Sequence, residues 1–181
     1  LSVAPASLWP MNSPFVAQAQ AARTASHQLA TLPRGRKDAA LHAMADALAA
    51  AQDQVLAANS SDVERAQQAG TSRAMVDRLS LDAGRIAAMG QGLRDLAGLA
   101  DPVGDVVRGF TTAAGVKITQ LRVPFGVVGI IYEARPNVTA DAAGIALKSG
   151  NAALLRGSSS TLASNRAVMA ALRDGLLDAG L

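Results

Sequence analysis

Two short polar clusters interrupt the apolar second half of the chain, and their residue types are suited to negative charge. The first, EARPN at residues 133–137, follows the apolar run 127–132, and the second, RGSSS, begins at Arg156. An asparagine amide such as that of Asn137 can donate a hydrogen bond to an oxyanion that develops during acyl transfer. The guanidinium groups of Arg135 and Arg156 can pair with carboxylate or phosphate. The two clusters are therefore candidates for one anion-binding site.

The elements around these clusters predict that both lie at one edge of a sheet. Residues 127–132 and 152–155 are short continuous apolar runs, each followed by a helical segment, at 138–148 and 161–177. Continuous apolar strands joined by helices are typical of a parallel sheet covered on both faces. Ligands of such sheets bind beyond the carboxyl ends of the strands. Asn137 then lies near a helix N-terminus, where free N–H groups favour a negative partner.

A simpler structural role accounts for the same residues. Asn137 or Thr139 can cap the helix, with Asp141 complementing its first turn. Arg156 and the serines after it can form a solvated loop with a serine cap. No G-x-G-x-x-G follows either strand, so the usual dinucleotide fingerprint is missing. Spacing alone favours the capping role, and both roles stay open at this point.

The first half of the chain reads as helical, with five predicted helices. Their predicted ranges are 14–32, 34–58, 60–70, 73–79 and 82–100, the third capped by Ser60, Ser61 or Asp62. Near-alternating apolar residues then predict an extended hairpin. The resulting division is residues 1–13 as disordered or vector-derived, 14–104 as a helical region, 105–123 as the hairpin and 124–181 as the first half of a sheet domain.

Composition excludes several classes of site and protein. The chain has no cysteine and only two histidines, which removes disulfides and thiolate metal sites and argues against zinc. Aromatic residues make up 3% and the net charge is only +3, which argues against a base-stacking nucleic-acid platform. No apolar run approaches the length of a membrane span. With no secretory signal pattern, the sequence predicts a cytoplasmic protein that binds neither nucleic acid nor membrane.

The segments YEARPNVTADA and LKSGNAALLRG closely resemble the γ-glutamyl phosphate reductase family of the aldehyde dehydrogenase superfamily. NSSDVERAQQAG, MVDRLSLDAGRI and LADPVGDVVRG resemble the same family's N-terminal half, in the same order, so the likeness covers residues 15–181. It implies NADPH-dependent reduction of L-glutamate 5-phosphate to L-glutamate 5-semialdehyde and phosphate, through a cysteine thioester, in proline biosynthesis. It also implies an α/β fold with a helical region, the first part of a Rossmann-like parallel sheet domain and a β-hairpin oligomerisation arm, hence a homo-oligomer.

The resemblance assigns roles to individual residues. Asn137 is the candidate for the asparagine that stabilises the oxyanion, and Arg135 is a candidate substrate-binding residue, with an ion pair to Glu133 or to a neighbouring helix as the alternative. Arg156 stands where the superfamily has a lysine that contacts the adenosine ribose, and Gly157 follows it. Ser159 replaces a glutamate that NAD-preferring relatives often carry, which favours NADP. No metal is implied.

The sequence departs from the family at one decisive point, because the nucleophilic cysteine is absent from all 181 residues. The chain alone is therefore expected to be inactive. One alternative is a fusion of this reductase with glutamate 5-kinase. The apparent start at Met11 argues against that fusion. Another is a helical interaction module that binds a nucleotide without chemistry, which the exposed edge of a sheet of only two parallel strands disfavours.

Overall fold

The computed structural model describes residues 14–181, so the prediction for residues 1–13 lies outside the described part. The described residues form seven α-helices and two sheets of two strands each. In chain order the elements are α1 (Pro14–Leu29), α2 (Arg34–Ala50), α3 (Gln52–Gln68), α4 (Arg73–Leu79), α5 (Ala83–Gly98), β1 (Val106–Thr111), β2 (Lys117–Leu121), β3 (Val127–Ile131), α6 (Asn137–Lys148), β4 (Ala152–Arg156) and α7 (Leu162–Asp178).

Helix α2 is the centre of the helical core and packs against α5, α6 and α7. Leu41, Met44 and Leu48 recur at helical spacing along its buried face and are fully or almost fully buried. On α7, Gly175 lets the two backbones approach closely, since an added Cβ would lie 2.6 Å from the carbonyl oxygen of Ala43. The core thus depends on small residues where the helices meet.

The predicted boundary between the second and third helices is wrong. The chain turns at Ala51, and residues 60 and 61 lie inside α3, where both serine hydroxyls donate to carbonyl oxygens one turn earlier. Ala51 has φ −86° and ψ 9°, a small departure from helical geometry at a residue that carries no breaker signal. The turn arises because α2 and α3 must each place a buried face against α7.

Asp62 caps a different helix from the one the sequence predicts. Its buried carboxylate accepts hydrogen bonds from the backbone N–H and the hydroxyl of Ser164, at 2.7 and 2.6 Å, in the first turn of α7. Negative charge at a helix N-terminus is favourable because the first N–H groups lack partners within the helix. This carboxylate therefore ties α3 to the start of α7.

Two buried lysines bind the carboxyl ends of α5 and α6 to α2. Lys37 has a fully buried side chain and donates to both carboxylate oxygens of Asp101, at 2.8 and 3.1 Å. Lys148 donates to Asp38 and to the carbonyl oxygen of Ala97, the latter at 2.9 Å. Each buried charge thus has an acidic partner, which burial of a charge requires.

The predicted hairpin is present. Strands β1 and β2 pair antiparallel, with Phe110 opposite Ile118 and an irregularity between Val106 and Arg108. Every residue of both strands is exposed, and Phe110 is 52% exposed. The hairpin therefore presents apolar side chains that residues 14–181 leave uncovered.

The two strands predicted in the second half form a parallel pair, with Ile131 opposite Arg156. Helices α1 and α6 pack against β4. The apolar runs predict that both faces of this sheet are covered. Within residues 14–181 the coverage is incomplete, because Ile131 is 86% exposed and β3 has no fully buried residue. Helices alone do not bury this small sheet.

Candidate functional site

Both polar clusters leave the same edge of the parallel sheet, as predicted. The strands end together at the pair Ile131 and Arg156, and the N–H of Tyr132 donates to the carbonyl oxygen of Arg156 at 3.1 Å. The two loops diverge from there. The structure separates the candidate residues into two clefts, with the loop of residues 132–136 contributing to both.

The first cleft, here called the strand-end cleft, lies between the two loops and has a volume of about 590 Å³. It is lined by Ile131, Tyr132, Glu133, Arg156, Gly157, Ser158 and Ser159. Arg156 is exposed, and its guanidinium donates to the carbonyl oxygen of Gly157 at 2.6 Å. The cleft therefore brings together three residues singled out from the sequence: Arg156, Gly157 and Ser159.

A chain of hydrogen bonds connects Tyr132, which lines the strand-end cleft, to buried residues of the fold and is here called the Tyr132 network. The hydroxyl of Tyr132 pairs with that of Thr139 at 2.7 Å, and Thr139 donates to the amide oxygen of Asn165 at 3.3 Å. Asn165 in turn donates to the hydroxyl of Thr161 at 3.1 Å. An added Cβ on Gly157 would overlap the amide nitrogen of Asn165 and lie 3.1 Å from the ring of Tyr132. Glycine is needed here for close packing.

The serine loop has the capped geometry that the simpler structural role predicts. Ser158 accepts from the backbone N–H of Ser160 at 3.3 Å and caps the short 3₁₀ turn Ser159–Thr161 that leads into α7. Ser159 remains exposed at the mouth of the cleft. Capping by Ser158 and exposure of Ser159 are compatible, so a structural role for the loop leaves its surface open to a ligand.

The second cleft, here called the helix cleft, lies between α4, α5 and the start of α6 and has a volume of about 410 Å³. Arg135 and Asn137 line it from the loop and from α6. Asp77, Arg78, Ser80, Leu81, Arg85, Ala88, Met89, Pro136 and Asp141 complete the lining. The remaining two sequence candidates therefore share a cleft that also contains both signs of charge.

Neither Asn137 nor Thr139 caps α6. Pro136 precedes the helix without a side-chain cap, and the Thr139 hydroxyl is bonded to that of Tyr132. Asn137 instead donates through its amide nitrogen to the carboxylate of Asp141, at 3.2 Å. Partial burial raises the pKa of Asp141 above its ordinary value, and the hydrogen bond from Asn137 opposes that rise. One N–H of the Asn137 amide is left for another acceptor.

The arginines of the helix cleft differ in their partners. Arg85 donates to the carbonyl oxygens of Asp77 and Ser80, at 2.6 and 2.7 Å, and pairs with the Asp77 carboxylate. Within residues 14–181, the side chains of Arg78 and Arg135 form no hydrogen bond or ion pair, so the ion pair weighed for Arg135 is absent from the described part. Both guanidinium groups are exposed to the cleft.

Sequence reasoning missed Arg78, Arg85, Tyr132 and Asn165. Tyr132 carried a usable signal, because it is the only tyrosine of the chain and stands directly at a strand end. The arginines lie on helices far from the loop in sequence, and no local pattern links them to it. Residues 14–181 contain no cluster of three potential metal-ligating side chains. None of the helices found between residues 14 and 181 has both the length and the apolarity for crossing a bilayer.

Comparison with known proteins places the chain in a family. The aldehyde dehydrogenase family model matches residues 13–181. A γ-glutamyl phosphate reductase of Cutibacterium acnes is 58% identical over 166 residues, which cover 92% of this chain and 40% of that protein. Among solved structures, the γ-glutamyl phosphate reductase of Thermotoga maritima matches with a TM-score of 0.89 at 39% identity, covering 92% of this chain and 40% of that one.

The likeness extends to a eukaryotic relative. The γ-glutamyl phosphate reductase of Saccharomyces cerevisiae matches with a TM-score of 0.86 at 30% identity, covering 92% of this chain and 42% of that one. The chain thus spans about 40% of the length of the relatives it matches. These matches confirm the predicted fold class, an α/β architecture with a helical N-terminal region. The chain belongs to the aldehyde dehydrogenase family, and within it is similar to γ-glutamyl phosphate reductases.

Proposed function

We propose that this chain is part of an NADPH-dependent γ-glutamyl phosphate reductase, which reduces L-glutamate 5-phosphate to L-glutamate 5-semialdehyde and phosphate in proline biosynthesis. The names of the relatives support the reaction. The observation that carries it is the shared loop between two clefts. Residues of that loop border both the strand-end cleft and the helix cleft, so a cofactor in one would meet a substrate in the other.

The lining of the strand-end cleft supports a site for the adenosine side of NADP. Arg156 offers an exposed cation, Gly157 allows the lining residue Tyr132 and the buried Asn165 to pack closely, and Ser159 places no carboxylate at the mouth. A glutamate at position 159 would repel a 2′-phosphate, whereas arginine attracts it. When bound, the nicotinamide supplies the hydride. The residues of this chain would bind and position the adenosine side of the cofactor.

The helix cleft supplies polar groups for the substrate. The free N–H of Asn137 is our candidate donor to the oxyanion that forms when the acyl phosphate is attacked, a position where fixed donors lower the barrier most. Arg135 is our candidate for a substrate anion. The chain has no cysteine, so the attacking thiol belongs to residues outside these 181, and the 181-residue chain alone is expected to lack turnover.

We further propose that the enzyme is a homo-oligomer whose subunits meet through the hairpin β1–β2. The exposed apolar residues of both strands support this assignment, since a large exposed apolar patch is typical of an interaction surface.

Substitution Ser159→Glu in the full-length protein tests the cofactor assignment. We expect the KM for NADPH to rise at least about tenfold, a change worth about 1.4 kcal/mol, while the KM for NADH falls or stays the same. Steady-state NADPH oxidation with L-glutamate 5-phosphate measures it. Ser160→Glu is the matched control, because it adds the same charge in the same turn outside the cleft lining.

The outcomes separate the proposal from its alternatives. An unchanged NADPH dependence in Ser159→Glu would contradict the placement of the adenosine end. A wild-type protein that binds NADPH but turns over no acyl phosphate would favour a nucleotide-binding module without chemistry.

A further inference from the structure

The helix cleft contains charged groups that the fold leaves unsatisfied. Within residues 14–181, the guanidinium groups of Arg78 and Arg135 have no hydrogen-bond acceptor, and the carboxylate of Asp141 accepts only from the amide of Asn137. By contrast, Arg85 and Asp77, the other charged residues of the lining, pair with each other. Two cations and one anion in the cleft therefore have no charged partner in the described part.

The mixture of signs restricts which ligand fits. A simple anion would gain from the arginines but would be repelled by Asp141, and a simple cation would meet the opposite problem. A ligand that carries a carboxylate and an ammonium group on the same carbon atom can pair with all three charged side chains. Arginine recognises carboxylate through paired N–H donors, and a carboxylate is the natural partner of an ammonium group.

Arg85 contributes to this arrangement indirectly. Its guanidinium bridges the carbonyl oxygens of Asp77 and Ser80, which flank Arg78 and Leu79 at the end of α4. Leu79 is buried, so the segment is anchored on its other side. The backbone that carries Arg78 is thus fixed at the rim of the cleft.

Given the proposed function, we infer that the helix cleft binds the zwitterionic α-amino-acid end of the substrate, with Arg78 and Arg135 on its carboxylate and Asp141 on its ammonium group. Asn137 lines the same cleft and donates to Asp141, and the carbonyl that reacts is only a few bonds from the α-carbon. The amino-acid end and the oxyanion donor therefore belong to one cleft.

The test uses the reverse reaction of the full-length protein, in which aldehyde, phosphate and NADP⁺ give acyl phosphate, NADPH and H⁺. Three aldehydes are compared: L-glutamate 5-semialdehyde, 5-oxopentanoate, which lacks the amino group, and 4-aminobutanal, which lacks the carboxylate. The variants are Arg78→Gln and Asp141→Asn. Arg73→Gln is the control, because Arg73 is an exposed arginine of the same helix outside the cleft lining.

Each substitution is expected to lower kcat/KM only for the aldehydes that carry the group its side chain binds. Arg78→Gln lowers kcat/KM about tenfold to hundredfold for the two aldehydes with a carboxylate and leaves 4-aminobutanal unchanged. Asp141→Asn lowers kcat/KM for the two aldehydes with an ammonium group and leaves 5-oxopentanoate unchanged. Arg73→Gln changes none of them. If the two residues had a purely structural role, each substitution would lower kcat/KM for all three aldehydes together.

The failures are distinguishable. An active wild-type enzyme whose variants lose kcat/KM equally for all three aldehydes, or lose none, would overturn the assignment of the amino-acid end and leave the proposed function intact. A wild-type protein with no activity toward the semialdehyde would overturn the proposed function and this assignment with it.

Discussion

At the scale of single residues, some polar side chains near the strand ends are buried in hydrogen bonds, whereas others are exposed. Tyr132, Thr139 and Asn165 are joined by hydrogen bonds in the Tyr132 network, while Asn137 and Arg156 are exposed. Every buried side-chain nitrogen or oxygen in residues 14–181 has a hydrogen-bond partner. Because unpaired buried polar groups are costly, the network is held in place, and the exposed groups are the ones available to ligands.

Gly157→Ala tests whether the Tyr132 network positions the residues of the strand-end cleft. The new methyl group would overlap the Asn165 amide, which is buried and bonded on both sides, so Asn165 must move. We expect a loss of about 1–3 kcal/mol in the free energy of unfolding and a higher KM for NADPH. Urea unfolding and initial rates measure the two effects.

The control for this substitution is Gly129→Ala in the neighbouring strand β3. An added Cβ at Gly129 has no atom within 4 Å, so stability and KM should stay close to those of the wild type. Equal effects of the two substitutions would contradict a packing role specific to Gly157.

Asp101→Asn removes the partner of a fully buried lysine. Burial alone would raise the pKa of Asp101, but the hydrogen bonds from Lys37 and the N–H of Val103, with the charges of Lys37 and Lys148, lower the pKa below 3.8. A lowered carboxyl pKa stabilises the fold above the unfolded value, and this stabilisation is lost as the pH falls through the lower folded value. Near neutral pH the free energy of unfolding of the variant should be lower by about 3 kcal/mol, because the fully buried Lys37 side chain loses its carboxylate partner.

The measurement is chemical unfolding of wild type and variant as a function of pH. The difference between them should shrink as the pH falls below 3.8, the ordinary pKa of the carboxyl. Asp46→Asn is the control, since its pair with Arg94 is exposed and should contribute at most about 1 kcal/mol. A difference that does not shrink as the pH falls well below 3.8 would argue against the ion pair as the source.

At the scale of elements, helices α2 and α7 approach each other closely at Gly175. Gly175→Ala places a methyl group 2.6 Å from backbone atoms of Ala43 and Met44, which cannot move aside as a flexible side chain could. The helices would have to separate along a contact that includes Leu41 and Leu172, both buried. We expect a loss of about 1–3 kcal/mol or more in the free energy of unfolding, measured by urea denaturation.

Gly35→Ala is the matched helical control. Gly35 lies in the first turn of α2 with no atom within 4 Å of an added Cβ, so alanine should be neutral or stabilise by up to about 1 kcal/mol. If Gly175→Ala were as harmless, the close approach of the helices would not be a constraint on the fold.

At the scale of the whole molecule, the hairpin β1–β2 exposes apolar side chains on the surface of the described residues. Phe110 and Ile118 are directly opposite each other, so they lie on one face of the ribbon. Ile118→Glu in the full-length protein should shift the proposed homo-oligomer toward smaller species, because a charge in an apolar contact is costly to desolvate. Light scattering coupled to size-exclusion chromatography measures the mass.

Thr119→Glu is the control for the hairpin. It is the next residue on β2 and points to the opposite face, with similar exposure and the same added charge. An unchanged mass for Ile118→Glu, or an equal change for both variants, would contradict assembly through the apolar face.

The sequence by itself determined the element types, the parallel strand pair, the hairpin and the family. Apolar periodicity and the β-α-β-α order are local or near-local signals, and the motif around residues 127–157 is specific enough to carry a resemblance. These signals also placed Arg135, Asn137 and Arg156 at one sheet edge, because parallel strands end together.

Only the tertiary structure decided how those residues divide between two clefts and which distant groups join them. Arg78 and Arg85 reach the helix cleft through the packing of α4 and α5, which no spacing in the chain encodes. The same holds for the turn at Ala51 and for Asp62, whose carboxylate caps a helix about a hundred residues further on. Local patterns fix what a segment forms, whereas burial of one shared core fixes which segments meet.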